Sequence, residues 1–197
     1  MAPVYCSITA SLDGFVAGPQ QSRAVPLGEG GEDLHRWMFE EPQRNAAEVE
    51  FITSAGAYIM GRNMFGPVRG EWDEDWRGWW GEDPPYHAPV YVLTHHPHDP
   101  VPMQGGTTFH FVTDGIDAAL GLARESAGDR PVSIAGGAAT VNQYLAAGLI
   151  DELRMHVAPI LLGSGARIFD GVTGVRFEPV GSEATPLVTH TTYRVVK

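Results

Sequence analysis

The stretch that most constrains this chain is Val132-Ser-Ile-Ala-Gly-Gly-Ala-Ala-Thr140. The apolar run Val132 to Ala135 reads as a buried strand, and Ala138 to Ala147 has helical composition with Val141, Tyr144 and Leu145 on one face. Between them stands Gly136-Gly137. A strand that breaks at glycines and runs straight into a helix turns backbone N–H groups into a crevice at the positive end of the helix dipole. An anion, most often a phosphate, is the usual guest of such a turn. The plain alternative is a tight strand-to-helix connection with no ligand, and a lone Gly-Gly does not decide between them.

The same device recurs along the chain. Val4 to Thr9 is a first strand, followed by Ser11-Leu-Asp-Gly-Phe-Val-Ala-Gly18, where Asp13-Gly14 signals a turn or a loop lying over a ligand. Tyr58-Ile-Met60 is a short buried strand closed by Gly61-Arg62-Asn63-Met64. Val90 to Thr94 is a third buried run and ends in Thr94-His95-His96-Pro-His98. Side chains of neighbouring residues at a strand end diverge, and no carboxylate or cysteine lies at a ligating spacing. Solvated loop histidines are therefore expected here, not a metal site. Helices are expected over Asp33–Phe39, over Asn45–Ser54 with Val49, Ile52 and Ala46 inward, and over 115–127. Thr108 to Val112 is a further strand.

Past Gly148 the pattern changes to strands alone: Glu152 to Ala158, Arg176 to Val180 and Leu187 to Val196. Early β-α alternation followed by β-only segments predicts an α/β fold. Its sheet is mixed and mostly parallel, flanked by helices and finished by antiparallel C-terminal strands. The segment Val68–Ala88, with Trp72, Trp76, Trp79 and Trp80, reads as a surface loop pinned by aromatic anchors, or as a wall of a substrate pocket or a subunit contact.

Composition excludes several classes. With 197 residues and no internal repeat or linker, one domain over 1–197 is expected. A formal net charge of −11 leaves no basic stripe for nucleic acid, so an anionic ligand must be held by local donors. Cys6 is the only cysteine and sits in an apolar run, so no disulfide framework is expected. No membrane span and no secretory leader is read, and the cytoplasm is the expected location.

In open α/β sheets, ligands bind beyond the carboxyl ends of the strands. Four strand ends carry ligand-type features, and an elongated, phosphate-bearing dinucleotide could touch all of them. Here the chain resembles the dihydrofolate reductase-like superfamily, in the branch of the C-terminal reductase domain of the bacterial riboflavin-biosynthesis deaminase-reductase. The residues that carry the resemblance are Ser11–Gly18, Tyr58–Phe65, Pro89–Thr94, Ile134–Ala138 and Asp151–Gly165, in that order through nearly the whole chain.

The resemblance implies NADPH binding and hydride transfer to a small molecule, by a homodimer in the family's manner. Gly61 and Arg62, with Asn63 and Met64 after them, match the strand end beside the adenosine phosphates. Thr94 and His95 match the loop by the adenine ribose and its phosphate. Ala135, Gly136, Gly137 and Ala138 match the pyrophosphate turn, with Thr140 at the helix start and a cis Gly136–Gly137 bond. Ala10 and Ala17 match the small residues bordering the nicotinamide. Asp33 is the positional match for the folate reductases' proton-donating acid, its alternatives being an N-cap or a solvated charge. Asp13 and Trp37 are the candidate substrate contacts. The implied substrate stays unidentified. Dihydrofolate or ribosylaminouracil-type pyrimidine reduction, and nucleotide binding without turnover, are the alternatives.

Overall fold

The computed structural model describes every residue except Met1, Val68, Asp73 and Glu74. Strand and helix identities follow the apolar patterning. The strands are β1 (Val4–Ser11), β2 (Phe15–Ala17), β3 (Ala57–Gly61), β4 (Pro89–Leu93), β5 (Val101–Pro102), β6 (Thr108–Val112), β7 (Val132–Gly136), β8 (Glu152–Ala158), β9 (Ala166–Arg167), β10 (Arg176–Thr185) and β11 (Val188–Val196). The helices are α1 (Arg36–Glu40), α2 (Ala46–Ile52), α3 (Arg62–Phe65), α4 (Gly115–Ala127) and α5 (Ala138–Ala146).

Among the described residues the main sheet has nine strands in the order β10-β11-β8-β1-β7-β3-β4-β6-β5. The six from β8 to β6 are parallel, and β11, β10 and β5 join antiparallel. This is the mixed, mostly parallel sheet with antiparallel C-terminal strands that the patterning predicts.

The central strands read as continuous apolar runs because both faces are covered. Alternate residues enter two cores. On one face Val4, Cys6, Ile59 and Ile134 pack with Leu120 of α4 and Val141, Tyr144 and Leu145 of α5. On the other, Tyr58, Met60, Val90, Val92 and Phe109 pack with Phe65 and Tyr86, and Trp72, Trp76 and Trp80 lie against them. The tryptophan-rich segment is therefore the second covering layer of the sheet, built from side chains where the opposite face uses helices. Val68, its expected first residue, lies outside the described residues.

Several expectations need correction. The helix expected over Asp33–Phe39 is a 3-10 turn, Gly31–His35, running into α1. In α2 no residue is fully buried, and Ala46 is exposed. Val49 and Ile52 are half-buried and face a cleft, so their apolar spacing marks a cleft wall, not a core contact. The loop after β1 contains β2, which pairs antiparallel with β9 in a separate two-stranded sheet. Strand β10 continues past Val180 to Thr185 because it zips along β11 through a register shift between Pro179 and Gly181. Most of it is exposed, so it carries little apolar signal. Among the described residues, no helix is long and apolar enough to cross a membrane.

Candidate functional site

A cleft of about 1350 Å³ opens across the carboxyl ends of the parallel strands. It runs from Ser7 and Thr9 of β1 and His156 of β8, past Gly136 of β7 and Gly61 of β3, to Thr94 after β4. From β8 to β4 is four strand spacings, or roughly 19 Å.

One end is built from backbone and glycine. Gly136 has φ +130°, a conformation that favours glycine. The Gly136–Gly137 peptide bond is cis. Gly137 itself is extended, with φ −71° and ψ −167°, which any residue can adopt. A Cβ built on Gly137 meets no atom within 4 Å. Neither backbone strain nor packing requires a glycine there, and its backbone lines the cleft. Helix α5 begins at the next residue, so its first-turn N–H groups lie beside that bare backbone. Gly61 has a different reason: a Cβ there would stand 2.5 Å from Thr140 Oγ1, so the end of β3 packs closely on the start of α5.

Around this end, Arg62 is 8% exposed. Its guanidinium lies 3.6 Å from the centroid of Trp72, donates Nη1–H to the carbonyl of Gly70, and reaches the Glu71 carbonyl at 3.5 Å. It thus ties the tryptophan-rich segment to the cleft. Thr94 accepts from the His96 N–H at 3.1 Å and closes a local turn. His95 is exposed at the rim. His96 faces Glu71 at 3.0 Å, and His98 packs on Trp72 and Phe111, so the three rings diverge.

The other end is built from side chains. Leu27, Met38, Val49 and Ile52 form apolar walls. At its floor, Ser7 Oγ lies 2.7 Å from His156 Nε2. His156 Nδ1 lies 2.7 Å from His190 Nδ1, and His190 Nε2 lies 2.8 Å from Asn45 Oδ1. Asn45 Nδ2 donates to the carbonyls of Trp37, at 3.0 Å, and Glu41, at 2.9 Å. Burial, together with the neighbouring His190, pushes His156 down to about 3, and burial also lowers His190 and His35. Both linked rings are neutral near pH 7.

Of the residues singled out in the sequence, Ala17, Gly61, Arg62, Asn63, Met64, Thr94, His95, Ala135, Gly136, Gly137, Ala138 and Thr140 line this one cleft. Four do not. Ala10 is 1% exposed and packs in the core with Cys6 and Ile8, although Ile8 on the same face of β1 also reaches the cleft. Asp33 is exposed on the outside of the 3-10 turn. Asp13 is turned to its own chain: it accepts from Ser11 Oγ at 2.5 Å and from the N–H groups of Leu162 (3.1 Å) and Gly163 (2.7 Å). Those bonds, the Ser11 hydroxyl first, hold its carboxyl at about 2. Trp37 is 0% exposed, with its ring 5.0 Å from those of both His156 and His190. It supports the histidines from behind and cannot touch a ligand.

Sequence reasoning missed Ser7, His156, His190 and Asn45. One signal was present: His156 continues the polar face of Glu152 and Arg154 toward the carboxyl end of an alternating strand. Its partners lie 149 and 34 residues away, and no local pattern names them.

Comparison with known proteins follows the same outline. The family model described as the RibD C-terminal domain matches residues 2–190. Comparison with curated proteins gave no match. Among solved structures, a putative riboflavin biosynthesis protein from Shewanella sp. PV-4 is 25% identical with a TM-score of 0.65, over 100% of both chains. A diaminohydroxyphosphoribosylaminopyrimidine deaminase/5-amino-6-(5-phosphoribosylamino)uracil reductase from Thermotoga maritima is 14% identical with a TM-score of 0.59. The alignment covers 98% of this chain and 56% of that one. The Saccharomyces cerevisiae riboflavin biosynthesis reductase is 14% identical with a TM-score of 0.56, over 100% of this chain and 89% of that one.

Proposed function

The chain belongs to the family of RibD C-terminal domains, and from that premise we propose that it is a one-domain NADPH-dependent reductase of a small organic molecule. The observation that carries the reading is Gly137. Its bare backbone faces the cleft with room for a Cβ that the sequence withholds, next to the first turn of a nine-residue helix. A pyrophosphate is the group that such a cradle fits.

On this reading the backbone of Gly136, Gly137 and Ala138 and the start of α5 hold the pyrophosphate. Thr94 and His95 flank the adenosine side. Arg62, by holding residues 70–72 against the cleft, shapes that side and adds positive charge to it. Ala17, small and 5% exposed, leaves a flat surface for the nicotinamide. NADPH, when bound, supplies the hydride. The chain's own residues bind it, orient it, and line the remainder of the cleft for the acceptor. Cytoplasmic location and a homodimer belong to the same proposal, the second to be read by analytical ultracentrifugation.

The test is titration with NADPH followed by its fluorescence, for wild-type protein and Gly137→Leu. Saturable enhancement that the leucine abolishes is expected. Equal affinity in the two proteins would remove the glycine turn from the site. Family membership favours a second, finer reading, reduction of a pyrimidine substrate. Steady-state NADPH consumption with the aminouracil named for the Thermotoga enzyme tests it. Tight NADPH binding without consumption against pyrimidine, carbonyl and imine acceptors would point to a nucleotide-binding protein without turnover.

A further inference from the structure

The polar chain beneath the β1–β8 end of the cleft has a direction. Asn45 Nδ2 donates to two backbone carbonyls, so the amide cannot turn over without setting its oxygen against them. Asn45 Oδ1 therefore faces His190 and accepts from Nε2–H. A neutral His190 then has a lone pair on Nδ1, which accepts from His156 Nδ1–H. A neutral His156 in turn has its lone pair on Nε2, which accepts from the Ser7 hydroxyl. Every proton in the chain points away from the cleft, and Ser7 Oγ is left with lone pairs toward it. His156 is 1% and His190 7% exposed, and Trp37 packs on both rings, so the arrangement is held dry and rigid.

The surroundings restrict what can lie over Ser7. The walls are Leu27, Met38, Val49 and Ile52. The arginines lining the cleft among the described residues are Arg62 and Arg69, on and just after α3 at the far end. The chain's single lysine, Lys197, bonds Asp151 outside the cleft. Arg154, the register partner of Ser7 on β8, is held by Glu152 and Glu48 over Phe51 and does not line the cleft. No arginine or lysine lines the cleft at the Ser7 end, and the guanidinium of Arg154 is already paired with two carboxylates.

We propose that Ser7 is a substrate-binding residue that accepts one hydrogen bond, and that the substrate is an uncharged, largely apolar molecule offering a hydroxyl or N–H to it. His156, His190 and Asn45 are positioning residues that fix the acceptor. The proposal rests on the reading of this cleft as a reductase site, and it separates this chain from phosphoribosyl substrates.

The test uses three probes with NADPH-saturated protein: para-cresol, para-methylanisole, which lacks the donor, and para-tolyl phosphate, which adds charge. Ligand-detected NMR should rank cresol about tenfold above methylanisole, the scale of one hydrogen bond left unmade, and show no specific binding of the phosphate. Ser7→Ala should erase the cresol preference while leaving NADPH affinity unchanged. Imidazole nitrogen NMR of the free protein should find the proton on Nδ1 of His156 and on Nε2 of His190. Asn45→Ala should mix those tautomers and weaken the cresol preference.

A cresol preference that survives Ser7→Ala, the reverse tautomers, a phosphate probe that binds as well as cresol, or no binding of either neutral probe would each overturn the proposal. Loss of NADPH binding in the wild-type protein would instead overturn the reductase reading.

Discussion

The two ends of the cleft are built by opposite means. At the β7–β3 end the contact surface is main chain: Gly136 in a conformation that favours glycine, Gly137 with its Cβ position open, and the first turn of α5. At the β1–β8 end it is side chains: apolar walls over a serine held by two histidines and an asparagine. Backbone recognition is indifferent to what the rest of a ligand carries, which on the proposed reading suits the cofactor. Side-chain recognition is discriminating, because a buried polar chain left half-satisfied is costly. On the proposed reading, cofactor and substrate are thus met by different kinds of structure.

That contrast can be broken most directly at Gly137. Gly137→Leu is expected to reduce NADPH affinity by roughly 100-fold or more, about 2.7 kcal/mol, with wild-type circular dichroism, since the added side chain enters open space. Ser7→Ala should leave that affinity within about twofold. If both substitutions weaken NADPH alike, the ends are not separable.

Asn45→Ala probes the other end through stability. It strips partners from the Trp37 and Glu41 carbonyls and from His190 Nε2 in a site only 2% exposed at Asn45. A loss of about 2 to 3 kcal/mol in urea unfolding is expected. No comparable loss should accompany Gly137→Leu.

The histidine pair also gives the side-chain end a pH dependence that the glycine end lacks. His156 folded titrates near 3, below its unfolded value of about 6.5. The unfolded chain therefore takes up the proton first. The stabilisation is fully present above about pH 6.5 and is lost as pH falls toward 3, at up to about 1.4 kcal/mol per pH unit, or about 2 kcal/mol by pH 5. Denaturant melts across this range should show it, and His156→Gln should flatten the slope.

The smallest effect belongs to Asp33. Exposed and outside the cleft lining, Asp33→Asn should leave both NADPH affinity and the urea midpoint unchanged. A large loss of turnover in that variant, with an identified substrate, would restore the acid to the chemistry.

The short β2, β5, β9 and α3 carried no pattern of their own, but the sequence by itself determined the longer strands and helices in their order, the mixed sheet, and the glycine end of the cleft. Each rests on residues close together in the chain: an apolar run, a Gly-Gly break, the helix that follows. Its failures at the site have one cause. Ala10 and Ser7 lie on the same strand, and only the placing of β1 between β7 and β8 decides which of its side chains end in the core and which reach the cleft. Val49 and Ile52 have the spacing of a core face, but α2 sits over the cleft. Asp13 and Trp37 have the chemistry of ligand contacts, yet the loop at 162–163 and the two histidines claim them first. Ser7, Asn45, His156 and His190 become one object only when β8 lies between β1 and β11. Backbone conformation is a local property and can be read along a chain; the company a side chain keeps is set by which distant strands become neighbours, and that was decided by the tertiary structure alone.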